Sequence, residues 1–567
     1  MLTEDGPFDS DTITNSYVNR LRTQLSLQQP TGFWTNGFTY DAGARLSNVT
    51  MRAGTFIYSY LPGTASKLVT NLQLPNTSRI TNGFDANARL LKTALLNSGN
   101  SALDSYAYAC DPANERTNLA RLDGSTVGFL YDKIGQLTVA DSSVSTEDRG
   151  YKYDAAWNLN WRTNNGSASQ FQVDNQNELT NYSGTTCGYD SNGNLTSAGV
   201  NKLYVYDDEN RLVQWFSYQT SCTSPQNGDL RTDFIYDGLG RLRQRLEYTL
   251  NCPTGGGTNG DGSVAQQLDS GGTGCIWMFS SGTQYIYDGW RVIQERDTNN
   301  TPVCAYTRGS DLSGTMEGAG GIGGLLARTR YFAGGPTSSH FYFSDGNGNV
   351  TYMIDTNQSM VASYRYDPFG NTISSSGSLA DENVYRFSSK EVHANSGMYY
   401  YGYRFYDPSL QRFINRDPIA EAGGYNLYCF VANNPPLFID PYGLDLDDLR
   451  IDCPPLQLPQ PPPLSLVPPP PPPLWNVWYP PAWYRPTYPD YSSPPFTLPP
   501  KKGPLDYVTI PSISGPLGGT ISPVILQSPF TKSEGTDLSG DVVPAPAGGG
   551  FVNVGAEYTV PLYQPPK

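Results

Sequence analysis

From Phe38 onward apolar and polar residues alternate in short runs that end in tyrosine and aspartate. "FTYDAGARL" (Phe38 to Leu46), "FLYDKIGQL" (Phe129 to Leu137), "YKYDAAWNL" (Tyr151 to Leu159), "CGYDSNGNL" (Cys187 to Leu195), "YVYDDENRL" (Tyr204 to Leu212) and "FIYDGLGRL" (Phe234 to Leu242) share one form. "NGFDANARL" (Asn82 to Leu90) and "YIYDGWRVI" (Tyr285 to Ile293) are looser copies. Alternation up to the tyrosine is the period of a strand with one apolar face, and the aspartate can accept turn N–H groups. Glycine or asparagine then supplies a positive φ, and leucine returns the chain to the apolar face. Uninterrupted copies recur at roughly 16 to 22 residues, the range of repeat architectures. One such hairpin cannot bury its own apolar face, whereas a row in register continues as one coiled antiparallel sheet with alternate residues facing a lumen. The period alone leaves a propeller or sandwich open as alternatives.

Insertions interrupt the rhythm at "SYQTSCTSPQNGDL" (Ser217 to Leu230) and "TGGGTNGDGS" (Thr254 to Ser263), both of surface-loop composition. "SGTMEGAGGIGGLLA" (Ser313 to Ala327) has no Gly-Lys-Ser/Thr ending and no flanking βαβ pattern, so it reads as a permissive turn rather than a phosphate cradle. "SDGNGNV" (Ser344 to Val350) lacks the downstream bidentate glutamate of a calcium loop and reads as a hairpin turn.

Composition narrows the partners. Of 567 residues only 16% are charged, 13% are aromatic and 40 are tyrosine, which suits half-buried sheet surfaces. Lys+Arg 37 against Asp+Glu 52 gives a formal charge of -15 and disfavours nucleic acid or anionic lipid as the main partner. Eight cysteines without CxxC spacing and two histidines, His340 and His393, argue against zinc. Cys222 with Cys252, and Cys275 with Cys304, flank strand pairs and can form two local disulfides in an oxidising compartment; free buried thiols are the alternative. No apolar run reaches membrane-spanning length, and "MLTEDGPFDS" lacks the features of a signal peptide. Either another chain is expected to export this one, or the sequence is the downstream piece of something longer.

From His340 the text becomes specific. "HFYFSDGNGNV", "ASYRYDPFGNT" and "YRFSSKEVHANSGMYYYGYRFYDPSLQRFINRDPIAEAGGYNLYCFVANNPPLFIDPYGL" resemble the RHS-repeat-associated core domain, and the upstream copies resemble the YD repeats that precede it. The resemblance implies an all-β chain: a spiral β-sheet shell, expected to be incomplete here, a core domain plugging one end, and a variable C-terminal polypeptide sealed within as cargo. The expected divisions are a partial repeat region at 1–37, YD-repeat sheet with insertions at 38–339, the core domain at 340–444 and a Pro-rich segment at 445–567. In bacterial toxin complexes and polymorphic toxins of this family the plug is also an aspartyl autoprotease.

Hydrolysing a peptide bond needs an activated water and an acid for the leaving amine, which two carboxylates sharing a proton provide. Asp417 in "NRDPI" and Asp440 in "DPYGL" match the family motif, with Arg416 as the basic residue that holds one carboxylate ionised. Proline after each aspartate stiffens the backbone. The resemblance places the cut between Leu444 and Asp445, where Gly443 lets the backbone enter a tight site. Asp-Pro also occurs at Asp111, Asp367 and Asp407, where it only starts turns. No cofactor or metal is expected.

After Leu444 the chain changes character. Residues 445–567 hold 30 of the 45 prolines, 20 of them between Ile451 and Pro500, a composition that forms polyproline II and no packed core. The tail has no histidine, which disfavours the commoner nuclease chemistries, and no toxin motif. Two function classes follow: a secreted, self-processing shell for a toxin or effector segment, with secretion machinery or an upstream shell chain as partner, and a non-enzymatic cell-surface adhesion protein binding carbohydrate or protein, whose Pro-rich tail is a linker.

Overall fold

The computed structural model describes residues 2–252, 275–332 and 337–444, together with the backbone of five short strands beyond Leu444. The expectations for Asp445, for the Pro-rich run and for the insertion Thr254 to Ser263 lie outside the described residues. The described residues are β-structure and turns, with a few 3-10 turns. Among them no helix is long and apolar enough to cross a membrane.

Strands from Thr3–Glu4 to Thr372–Ser376 form one 31-stranded antiparallel sheet, each strand paired with its neighbours in sequence. The sheet thus continues past His340, and the break in architecture falls after Ser376. Early strands show the expected alternation: in Gly32–Tyr40, Trp34, Asn36 and Phe38 are buried while Phe33 and Thr35 face out.

The repeat builds the same turn each time. At Asp132, Asp154, Asp174, Asp190, Asp207 and Asp237, one carboxylate oxygen accepts the N–H groups two and four residues on, at 2.8–3.0 Å. The residue between those two donors, Gly135, Trp157, Asn177, Gly193, Asn210 or Gly240, has a positive φ of 60–84°. Where arginine, asparagine or glutamine follows, its side chain returns to the second carboxylate oxygen, as Gln136 (2.8 Å), Asn194 (2.8 Å), Arg211 (2.7 Å) and Arg241 (2.9 Å) do. "SDGNGNV" is another such turn, with Asp345 capping Asn347 and Asn349. The tyrosine before the aspartate ties repeats together: Tyr153 donates to the Leu137 carbonyl (2.9 Å), Tyr236 to Leu212 (2.7 Å) and Tyr366 to Val350 (2.7 Å).

One expectation needs correcting. Strands Arg291–Arg296, Pro302–Arg308 and Leu325–Arg330, with the second half of Ile276–Asp288, are buried on both faces rather than facing a lumen on one. Consecutive apolar residues, Tyr285–Tyr287, Val292–Ile293 and Leu325–Ala327, replace the alternation, as in a doubly covered strand, with buried arginines between them. Tyr285, Tyr287, Tyr306 and Tyr342 join a core with residues 127–242 and the segment 385–431. Ile286, Ile293, Phe341 and Phe343 join a second core with residues 13–108, where Phe56 meets Phe341 (5.8 Å) and Tyr106 meets Phe343 (6.2 Å). The sheet curls, and its own later strands fill the curl. A cavity of about 640 Å³ remains beside Tyr58, Lys67, Arg89, Asp311 and Asp345, a volume suited to a small molecule.

Polar seams close the curl. Arg22 pairs with Asp288 (2.7 Å) and Arg241 with Glu4 (2.9 Å). Arg296, fully buried, donates to the carbonyls of Asp9 (3.1 Å), Ser10 (3.0 Å) and Gln28 (2.8 Å).

The disulfide differs from both expected pairs. Cys252 bonds Cys275, closing the hairpin of Leu242–Asn251 and Ile276–Asp288, while Cys222 and Cys304 are free thiols. The paired strands bring the two sequence-adjacent cysteines face to face, which pairing across two separate insertions does not.

Residues 387–444 form a compact plug of short strands, among them Tyr399–Tyr400 and Phe405–Asp407, around Tyr401, Tyr406, Phe413 and Phe430. The plug binds the row of turns. Asn434 donates to the Gly135 carbonyl (2.7 Å), Asn433 to Trp157 (2.9 Å), Tyr428 to Gly193 (2.8 Å), Asn415 to Asn210 (3.1 Å) and Tyr400 to Gly240 (3.4 Å), and Arg412 donates to Asn177. Six successive repeats each offer the carbonyl of their positive-φ residue.

Replacing Arg296 with methionine takes its donors from the Ser10 and Gln28 carbonyls, while the Asp9 carbonyl keeps Asn300 (2.6 Å). The expected loss is about 2 kcal/mol or more, read as a lower urea midpoint with early proteolysis of residues 2–30.

Candidate active site

Asp417 follows the plug strand Arg412–Phe413 and starts a turn, its Oδ1 accepting the Ile419 N–H (3.0 Å). Asp440 follows Phe438–Ile439 and caps the next loop: its Oδ1 accepts the N–H groups of Tyr442 (3.1 Å), Gly443 (2.6 Å) and Leu444 (3.1 Å). That loop is held at both ends, because Asp447–Asp448 pairs with Phe438–Ile439.

Arg404 brings the two aspartates together. Its Nη2 donates to Asp417 Oδ2 at 2.6 Å and lies 4.0 Å from Asp440 Oδ2. Its Nη1 donates to the Leu427 carbonyl (2.9 Å), its Nε to Gly443, and the guanidinium stacks 3.8 Å from the Phe413 ring centre. All three charged groups are buried. Burial pushes the Asp417 carboxyl up to about 6, Arg404 opposing and the Asp440 charge adding to the rise. Burial also raises Asp440, opposed by Arg404, the Gly443 and Leu444 N–H groups and Lys390.

The Leu444 carbonyl completes the arrangement. A Cβ built on Gly423 would meet the Leu444 carbonyl oxygen at 2.3 Å and Asp417 Oδ2 at 2.5 Å. The two oxygens are therefore no farther apart than the sum of those distances. Two buried carboxyls on one guanidinium, beside a peptide carbonyl, have the parts for acid–base hydrolysis of that peptide.

A family sequence model described as Teneurin YD-shell matches residues 114–252. Among curated proteins, the tRNA3(Ser)-specific nuclease WapA of Bacillus spizizenii is 26% identical over 332 residues, 57% of this chain and 11% of that one. Toxin subunit YenC1 of Yersinia entomophaga is 26% identical over 408 residues, 61% of this chain and 40% of that one. The crystal structure of TcdB2-TccC3-Cdc42 superposes with a TM-score of 0.54 at 16% identity, covering 77% of this chain and 24% of that one. This chain spans less than half the length of each of these relatives. Residues 114–252 are thus YD-shell repeats, and the chain shares the fold of these shell structures.

In this chain of YD repeats the structure brings Asp417, Asp440 and Leu444 into one place. Arg416 is elsewhere: its Nη2 donates to Gln176 (2.6 Å) and Glu178 (2.7 Å), and its Nε to the Tyr428 hydroxyl (3.2 Å). The adjacent side chain leaves the plug on the opposite side from Asp417, as neighbours in an extended segment do, and the guanidinium at the carboxylates is Arg404. The signal for it was an arginine inside the aromatic run "YYYGYRFYD", where a buried cation needs a buried partner. Lys390 was also missed. Its Nζ donates to the carbonyls of Gly320 (3.3 Å) and Pro441, and burial lowers it to about 8, with Asp440 opposing.

Arg404→Gln removes the cation between two buried carboxyls, so both rise further. A carboxyl raised in the folded state loses stability as pH climbs from its unfolded value of 3.8 to its folded value, about 6 for Asp417. In the variant that loss extends to higher pH. Melting temperatures of variant and wild type should therefore diverge more at pH 8 than at pH 5.

Proposed function

We propose that this chain is the closing end of an encapsulating shell, and that its plug cuts the Leu444–Asp445 bond once to free the segment 445–567. The observation that carries the reading is the Leu444 carbonyl beside the Asp417 carboxylate, with Asp440 on the same guanidinium. One carboxylate takes a proton from water as the water oxygen bonds to the Leu444 carbonyl carbon. The other carboxyl gives its proton to the Asp445 nitrogen, the C–N bond breaks, and a Leu444 carboxylate and an Asp445 amine result. Arg404 offsets the negative charge as it develops. The toxin names of the relatives support a secreted delivery role, with the freed segment as effector. Because the curl is filled by its own strands, the remaining wall would come from an upstream shell chain or segment.

The family match covers wall repeats alone and none of the plug, which leaves room for a second reading, a non-enzymatic surface protein that keeps its tail. Intact-mass analysis separates the two. A species ending at Leu444 is expected from the wild type, and only full-length chain from Asp417→Asn. Cleavage of the variant at the same bond would mean the pair is misassigned, and an uncut wild type would leave the plug purely structural. The pair must hold one proton, so the cleavage rate should fall about tenfold per pH unit once the pH passes the higher of the two raised carboxyls, at or above about 6.

A further inference from the structure

The Gly-rich run joins the wall strands Pro302–Arg308 and Leu325–Arg330. It was read as a permissive turn, and its position gives it more to do. Asp311 organises it: Oδ1 accepts the Ser313 N–H (3.0 Å), and Oδ2 accepts those of Ala319 (2.8 Å) and Gly321 (3.1 Å). Arg291 adds a bond to the Met316 carbonyl (2.8 Å). The loop is therefore a tied shape that presents fixed groups to its neighbour.

That neighbour is the stretch just before Leu444. Ile439 packs with Ala319, Ile322 and Leu312. The Tyr442 hydroxyl donates to the Glu317 carbonyl (2.9 Å). Lys390 bridges the Gly320 and Pro441 carbonyls. Gly320 lies so close to this stretch that a Cβ on it would sit 2.2 Å from the Pro441 carbonyl oxygen, and its φ of +59° already disfavours a side chain. On the other side Asp440 and Arg404 hold Gly443 and Leu444.

We propose that the wall loop Gly309–Gly324, with Lys390, is the clamp that positions Ile439–Tyr442 so that the Leu444 carbonyl stays at the carboxyl pair. This rests on the self-cleavage proposed above and names its positioning residues: Gly320, Lys390 and Tyr442 touch neither the cut bond nor the water. It also means that the cut requires a folded wall as well as a folded plug, since the clamp belongs to the wall. The plug cannot cut before the wall has formed.

The test is a pulse-chase of the full chain with Gly320→Ala, Tyr442→Phe and Lys390→Met. A displacement of the peptide of about 1 Å should slow cleavage on the order of a hundredfold for Gly320→Ala and less for Tyr442→Phe, which loses one hydroxyl. Lys390→Met should also move the pH midpoint upward, because a cation beside Asp440 is gone. Hydrogen exchange of residues 439–444 is measured in parallel in the uncut Asp417→Asn background, with the melting temperature as control. Faster exchange there with unchanged melting supports the clamp. Wild-type rates and exchange in Gly320→Ala and Tyr442→Phe overturn it, as does slowed cleavage that merely follows a lowered melting temperature. If the wild type is uncut, the self-cleavage reading fails, and the exchange result alone decides whether the loop holds the segment.

Discussion

Everything in this molecule depends on a carboxylate that accepts two backbone N–H groups inside a tight turn. The aspartate satisfies donors that a short turn otherwise leaves bare and holds the fourth turn residue at positive φ. That conformation orients its carbonyl away from the strand ladder. Repeated along the wall, it creates a row of acceptors, and the plug residues Tyr400, Arg412, Asn415, Tyr428, Asn433 and Asn434 are bonded along that row. Wall and plug are thus matched by the repeat itself. Trp157, a bulky residue at φ 61°, shows how firmly the turn is imposed.

The same plug isolates a costly group of charges. Two carboxyls and a guanidinium lie out of water, where each alone would be strongly unfavourable. Arg404 spends its donors on Asp417, Leu427 and Gly443 and stacks on Phe413, so its geometry is fixed from several sides. Asp440 is held by three successive N–H groups of the chain it is proposed to help cut. Asp440 and the Leu444 carbonyl are parts of one loop, so the proposed cut would be a single event rather than turnover.

Much of the wall was legible in the sequence because its determinants are local. Aspartate, the positive-φ residue and the returning leucine stand within a few positions of one another, and the Tyr-Asp spacing announces the sheet. The doubly buried strands were legible too, in short unalternated runs such as Tyr285–Tyr287 and Leu325–Ala327, but the alternation of earlier copies was extended over them. Asp417 and Asp440 came from the resemblance, and the structure places them on one guanidinium. Arg404 did not emerge, because partnership across the plug leaves no trace in spacing, whereas Arg416 came with the two aspartates from the motif match. The Gly-rich loop hid its neighbour for the same reason: a glycine marks close approach without saying what approaches. Cys252 and Cys275 are joined by hairpin register, which pairing by insertion overlooked.

The seam between Arg22 and Asp288 joins residues 266 positions apart. Neighbouring strands can pair as the chain leaves the ribosome, since each needs only the one before it. The inner face of residues 13–108 cannot be covered until the strands after Ile276 have been made. At ordinary synthesis rates that interval is on the order of tens of seconds, during which a broad apolar surface stands bare in a crowded cell. The order of synthesis thus makes the first strands the part of this architecture most open to aggregation before it is finished.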